Sequence, residues 1–308
     1  MELENTDVLI IPKPLAKQAS SSLLRTIISL ALYIAVDYWI FKSWFAVILL
    51  VSVIFIHEMG HFIAMKVFGY RGISMTFVPF VGAYVSGEVV NFSKWNKIIV
   101  LLAGPIPGII IGMILFYLYH TNGDYDYFKA AIPFLLLNMF NLVPVSPLDG
   151  GQFFETLFFS GNRIIQLIFL YTSLLVIVYF IYQTRSFALL LIVFFLFMRI
   201  AAINLSARVR KKLDEKEIDY NCSYEDLTDE EYWQIRDIVI ESSKVLSKKY
   251  FPGVPAEDET PLISYIKTCL VPHYDKELTN NARIMFILIW LAALGLPIIY
   301  FLNYKGLI

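Results

Sequence analysis

The stretch Val53-Ile54-Phe55-Ile56-His57-Glu58-Met59-Gly60-His61-Phe62-Ile63-Ala64 sets two histidines and a glutamate inside an apolar run that extends from residue 45 to 68. On a helix, His57 and His61 lie four residues apart, so both imidazoles project from one face and can share a metal ion. Glu58 is adjacent, where its carboxylate can reach water at that metal. Soluble zinc proteases use the same pattern. Here the flanking residues, Ala46 to Val51 before and Phe62 to Met65 after, read as a membrane span. Hydrolysis at such a site would take place within the bilayer.

Composition agrees with that reading. The 308 residues are 58% hydrophobic and 17% charged, with a mean hydropathy of +0.64. A water-soluble domain needs more polar residues than this to cover its surface. The net charge of −1 and the lack of a sizeable Lys/Arg cluster argue against a nucleic-acid partner. Cys222 and Cys269 are the only cysteines, too few for a disulfide framework and not in a CxxC pair. The first twenty residues are mixed and polar, with Glu2, Glu4, Asp7, Lys13 and Lys17. No short basic region and cleavage site precede the first span, which therefore reads as an uncleaved anchor.

Apolar runs near the roughly 20 residues that cross a bilayer fall at 23–41, 45–68, 98–119, 128–145, 164–183, 187–205 and 284–302. Trp39, Lys42 and Trp44 suit an interfacial belt at the first turn. The fourth run is irregular, with Pro133, Pro144 and Pro147 in or near it. Broken backbone at membrane depth is tolerated only where it is buried in protein or lines a wet cavity, which already hints at a site. With the N-terminus in the cytosol, the inner segments collect Lys13, Lys17, Lys66, Arg71, Lys94, Lys97, Arg163, Arg208, Arg210, Lys211 and Lys212. The outer loops keep only Lys42, Lys129, Arg185 and, at the tail, Lys305, as the positive-inside rule asks.

Two stretches are not spans. Residues 70–91 are polar and glycine-rich, with Ile73, Met75 and Phe77 alternating and Gly82 and Gly87 interrupting the second half. They read as a β-hairpin or re-entrant loop. Residues 206–281 are a charged, soluble insert. Within it, Thr228-Asp229-Glu230-Glu231 has the form of a capping box, and Tyr232, Ile235, Val239, Leu246 and Tyr250 come next at helical spacing. The expectation is an all-α polytopic membrane protein of six to seven transmembrane helices, with a re-entrant β segment. A cytosolic segment over 1–22, a membrane core over 23–205, a helical insert over 206–281 on the cytosolic side and a last transmembrane helix in 282–308 divide the chain.

Catalytic zinc takes three protein ligands and leaves a fourth position to water, so a third ligand must join His57 and His61. His120, in an outer loop, and His273, in the insert, read as ordinary surface histidines. Carboxylates at membrane depth are few, because a charge there is costly without a partner. Asp149 is the best candidate, in Asn141-Leu142-Val143-Pro144-Val145-Ser146-Pro147-Leu148-Asp149-Gly150-Gly151. The prolines stop the helix, and the Asp-Gly-Gly turn can present a carboxylate sideways toward another helix. Asp37, near an interface, and Glu155, just after the turn, both have structural explanations.

HEMGH within a span, followed by NLVPVSPLDGG in a later one, resembles the site-2 protease family of intramembrane zinc metalloproteases. Leu102-Ala103-Gly104-Pro105 and the stretch 80–85 are similar to further elements of that family, and the likeness covers residues 47–155. The resemblance implies Zn2+ held by His57, His61 and Asp149, with Glu58 as general base. It implies for Asn141 a part in positioning substrate or the oxyanion. Gly104, Pro105, Pro107 and Gly108 read as scaffold. The family's periplasmic PDZ domain and cytosolic nucleotide-sensing module have no counterpart here, and the insert resembles nothing named. The implied partners are single-span membrane-protein substrates in a lipid bilayer, and the implied location is the cytoplasmic membrane. Two other classes fit fewer residues: a catalytically silent relative that binds membrane proteins, and a zinc transporter, for which only His120 lies near a span.

Overall fold

A computed structural model describes residues 11–15, 23–79, 82–88, 93–159, 162–185, 189–271 and 278–304. His273, Phe80, Val81, residues 89–91 and the N-terminal residues Glu2, Glu4, Asp7 and Lys17 lie outside them. The chain divides into two compact units, one of residues 18–197 with 274–308 and one of residues 1–17 with 198–273.

The larger unit is built from long apolar helices: α1 (Leu23–Phe41), α2 (Trp44–Val67), α3 (Lys94–Ala103), α4 (Pro105–Asn122), α5 (Tyr125–Asn141), α6 (Asp149–Phe154), α7 (Arg163–Thr184), the start of α8 (Leu189–Glu215) and, after α9 and α10 of the other unit, α11 (Asn280–Tyr304). Six stretches among the described residues are long and apolar enough to cross a membrane: α1, α2, the α3–α4 pair, α7, α8 and α11. Their outward faces expose Leu24, Ile28, Ile48, Ile168, Leu175 and Leu288, as a lipid-facing surface requires and an aqueous one does not. The protein is a multi-pass membrane protein.

The expected span over 98–119 is two helices. The break falls at Gly104, and Pro105 opens α4 at a position where its missing N–H costs nothing. Small residues set the spacing there. A Cβ on Gly60 of α2 would fall on the Ala103 carbonyl, and one on Gly108 of α4 would fall on the Asn138 amide of α5. Behind this contact, Ile98, Leu102, Leu135, Leu142, Phe153 and Leu157 form the core of the unit.

The segment after α2 is a hairpin of β1 (Arg71–Val78) and β2 (Gly82–Glu88), antiparallel with Met75 opposite Val85 and Phe77 opposite Ala83. Met75 and Phe77 pack on Tyr33 of α1. Thr26 Oγ1 donates to the Met75 carbonyl at 2.7 Å, and the Phe77 N–H donates to Ser29 Oγ at 3.2 Å. The outer edge of β1 is thereby capped by hydroxyls of α1.

In the smaller unit, α8 runs on to Glu215, so the expected insert begins as the continuation of a spanning helix. No Gly or Pro interrupts residues 189–215, and the basic residues Arg208, Arg210, Lys211 and Lys212 do not break a helix. α9 (Asp229–Ser242) starts at the capping box: Glu231 N–H donates to Thr228 Oγ1, and Thr228 N–H to Glu231 Oε2. The helical spacing seen up to Tyr250 ends early, at Ser242, because Ser243 turns extended and its hydroxyl takes the Leu246 N–H. Leu246 and Tyr250 still join the core of Leu213, Tyr232, Ile235, Val239, Leu262 and Ile266, the last two from α10 (Thr260–Cys269).

Candidate metal centre

Two turns of α2 carry the histidines inward. His57, Glu58 and His61 are all buried. The space for His61 is made by Gly104, where a Cβ would overlap the imidazole itself. The third group arrives by a different device. α5 stops after Asn141, since Pro144 and Pro147 cannot continue it, and the chain folds back so that Asp149 stands in the first turn of α6. That return is tight enough to need two glycines. A Cβ on Gly150 would fall on the Leu142 carbonyl, and one on Gly151 on the backbone of Val145 and Ser146.

Backbone opened at this depth has no water to satisfy it, and side chains of other helices take that part. The Trp290 indole of α11 donates to the Leu142 carbonyl at 2.9 Å, and the Ser146 N–H donates to Ser173 Oγ of α7 at 3.1 Å. Gln152 Nε2 donates to the Pro147 carbonyl at 3.0 Å.

The outcome is a triangle of three atoms. His57 Nε2 lies 3.1 Å from Asp149 Oδ2, His61 Nε2 lies 3.2 Å from the same oxygen, and the two nitrogens are 3.2 Å apart. The hydrogen positions decide what this triangle is. His61 Nδ1 faces the Val100 carbonyl at 2.8 Å, which can only accept, so Nδ1 carries the proton. His57 Nδ1 faces Asn138 Oδ1 at 2.8 Å, and the Asn138 amide nitrogen is spent on the Phe134 carbonyl at 2.7 Å. Its Oδ1 is therefore the acceptor, and His57 Nδ1 is protonated as well. With both imidazoles neutral, both Nε2 atoms present lone pairs toward Asp149 Oδ2. Three acceptors meeting in a buried place need a cation among them. Ligands of tetrahedral zinc at 2.0–2.2 Å stand about 3.3 Å from one another, which matches the triangle. The donor set of two imidazoles and a carboxylate fits zinc.

His57, His61 and Asp149 are thus brought together, and they are the one such group of potential metal ligands among the described residues. Glu58 is buried beside them, with the Val85 N–H of β2 donating to its carboxylate. Asn141 is half-buried and turns its amide back onto its own helix, donating to the Leu137 carbonyl at 3.1 Å. The asparagine that touches a histidine is Asn138, which is not among the residues expected from sequence. It is fully buried. A signal existed, since an asparagine among Leu135, Leu136, Leu137 and Met139 in a span is an expensive residue. His120 is exposed in the last turn of α4, Asp37 is buried on α1 against Tyr33, and Glu155 is buried in the π-turn that continues α6. None of the three belongs to the triangle.

Comparison with known proteins bears on the same segment. The model of Peptidase family M50 matches residues 44–132. Zinc metalloprotease MJ0392 of Methanocaldococcus jannaschii is 30% identical over 118 residues, 37% of this chain and 34% of that protein. Stage IV sporulation protein FB of Bacillus subtilis is 28% identical over 120 residues, 37% of this chain and 40% of that protein. The matched stretches thus span between a third and two fifths of these relatives. Among solved structures, a site-2 protease from Methanocaldococcus jannaschii aligns at a TM-score of 0.41 with 22% identity, over 56% of this chain and 87% of that one. The family match thus covers α2 with His57, Glu58 and His61, and ends before Asp149.

Proposed function

We propose that the chain is an intramembrane zinc endopeptidase that cuts single-span membrane proteins within or beside their transmembrane helices. The observation that carries this reading is the triangle of His57 Nε2, His61 Nε2 and Asp149 Oδ2, with Glu58 buried next to it. Zinc bound by these atoms supplies a Lewis acid for the scissile carbonyl and lowers the pKa of water.

The protein's own groups do the rest. Asn138 and the Val100 carbonyl fix both imidazoles with Nδ1 protonated, so that both Nε2 atoms face the site. Asp149 brings one negative charge to a place where water brings none. Glu58 takes a proton from the attacking water and returns it to the leaving amine, so the peptide bond is replaced by an acid and an amine without net proton uptake. Asn141 spends one of its two amide hydrogens on Leu137, and we assign the other to the developing oxyanion.

A substrate helix hides its carbonyls in its own hydrogen bonds and must be drawn out before attack. Strand addition on the hairpin gives a means. Pro79 stands in the turn after β1, not within a strand, so it does not limit pairing. The limit comes from Thr26 and Ser29, which occupy the β1 edge; β2, whose Val85 N–H meets the Glu58 carboxylate, keeps the rest of its edge for an extended substrate.

The test compares the membrane proteome of cells making this chain with that of cells making Glu58→Gln, with zinc measured in both purified proteins. Single-span fragments that accumulate only with the mutant, while both forms hold zinc, support the protease. Matching proteomes with zinc bound in both would sink it in favour of a silent relative or a transporter.

A further inference from the structure

Residues 11–15, Ile-Pro-Lys-Pro-Leu, precede the first span and group with residues 198–273 in the smaller unit, where they lie against Tyr224, Asp229 and Trp233. The indole of Trp233 donates to the Ile11 carbonyl at 2.7 Å, and the Tyr224 hydroxyl donates to the Pro14 carbonyl at 2.7 Å. Between them, the Lys13 N–H donates to Asp229 Oδ1 at 2.8 Å. The Lys13 ammonium enters a ring of backbone carbonyls, those of Tyr224 at 3.2 Å, Glu225 at 2.8 Å and Leu227, and lies over the Tyr224 ring at 5.6 Å.

Three properties separate this contact from ordinary packing. The apolar side chains at its ends do not hold it, for Ile11 is 43% exposed and Leu15 91% exposed. The segment offers mainly its backbone and one ammonium, and prolines on both sides of Lys13 restrict it to extended conformations before it binds. The receiving surface is prepared too. Trp233 stacks on the guanidinium of Arg236 at 4.8 Å, and Arg236 is itself locked in the core by Glu259. Aromatic donors that grip the carbonyls of an extended proline-containing peptide are a general solution to peptide recognition. The carbonyl ring adds a selectivity of its own. It suits the three diverging donors of an ammonium and not the flat fork of a guanidinium.

We propose that the groove of Tyr224, Asp229 and Trp233 is a binding site for an extended, proline-flanked lysine peptide, and that residues 11–15 are its resident, exchangeable occupant. The contact also puts the N-terminal segment and the smaller unit on one side of the membrane, which demands an even number of crossings between them. Among the described residues five long apolar stretches precede the insert, α1, α2, α3–α4, α7 and α8, and we assign the crossing that makes their number even to α5.

The test uses the full chain carrying Lys13→Ala in lipid nanodiscs, titrated with a fluorescent peptide of residues 8–18. A tethered ligand acts at an effective concentration of order millimolar, so the wild-type chain should resist the peptide while the variant admits it. The expected result is saturable binding at least tenfold tighter on the variant than on the wild type. The Lys13→Arg peptide should bind at least tenfold more weakly, and so should the original peptide on a chain that also carries Trp233→Phe. Equal binding to wild type and variant, binding indifferent to Trp233→Phe, or no binding would each overturn the proposal. Hydrogen exchange of α9 is followed in parallel. Loss of its protection in Lys13→Ala would make residues 11–15 a piece of the fold, which also overturns it.

Discussion

Among the described residues, one cluster of ionisable side chains in each unit is shielded from solvent, and the two are satisfied in opposite ways. In the smaller unit, Arg236 is wholly inaccessible, and its donors are taken by Glu259, Asp237 and the carbonyls of Phe251 and Val254. Glu259 in turn accepts from the Tyr232 hydroxyl at 3.0 Å and the Ala256 N–H at 2.8 Å. Donors and acceptors balance within the protein. In the membrane unit, His57 and His61 are buried and Asp149 is partly so, and with neutral imidazoles acceptor faces acceptor and the balance needs a positive charge from outside. A closed network of this kind holds a fold, whereas an open one is a place for a ligand.

That contrast is broken most directly at Asp149. Asp149→Asn keeps the size of the side chain and removes its charge, so zinc content should fall from stoichiometric to a small fraction, with proteolysis lowered by about a thousandfold or more. Metal analysis of the purified variant checks it. Stoichiometric zinc in Asp149→Asn would mean that the triangle is not a metal site. The neighbouring Glu58→Gln serves as the control, because it should lose the reaction and keep the metal.

At the closed network the same kind of change should act on stability alone. Glu259→Gln strands the buried Arg236 charge, and breaking such a pair costs about 3–5 kcal/mol. Hydrogen exchange in α9 and α10 should lose protection accordingly, while zinc content stays at the wild-type level. Zinc loss together with the domain would show that the two clusters are not independent and would remove the distinction drawn between them.

The sequence displayed the two clusters unequally. HEMGH stands out because histidine and glutamate in a span have no other ready explanation, and the Pro-Asp-Gly-Gly run announces a turn at membrane depth. Thr228 and Glu231 announce the start of α9 for a local reason, since both halves of a capping box lie within one turn. Arg236 with Glu259 could not be read this way, because the partners are 23 residues apart and each resembles a surface charge. Neither could the close approach of Gly104 to His61, which depends on the imidazole of a different helix. The docking of Lys13 on residues more than 200 positions away was equally invisible. Local rules reveal what one helix does. Which asparagine meets which histidine is a matter of packing between helices.

Asn138 and Asn141 sharpen the comparison at the smallest scale, for they are one turn apart on α5 and bond differently. Asn138 joins the membrane cluster to the fold, with one end on His57 and the other on the Phe134 carbonyl. Asn138→Leu fills nearly the same volume but leaves the His57 Nδ1–H without an acceptor, which frees its tautomer and ring angle. Loss of such an outer partner lowers metal affinity by about 10- to 100-fold, and zinc competition with a chelator should read that drop. Asn141→Leu touches no ligand and should leave zinc affinity within about twofold while slowing cleavage, if its free amide hydrogen serves the oxyanion. A chelator series in which Asn141→Leu loses zinc and Asn138→Leu does not would reverse the assignment. The two variants differ by one helical turn, so general damage to α5 would affect both alike, and only their difference carries the inference.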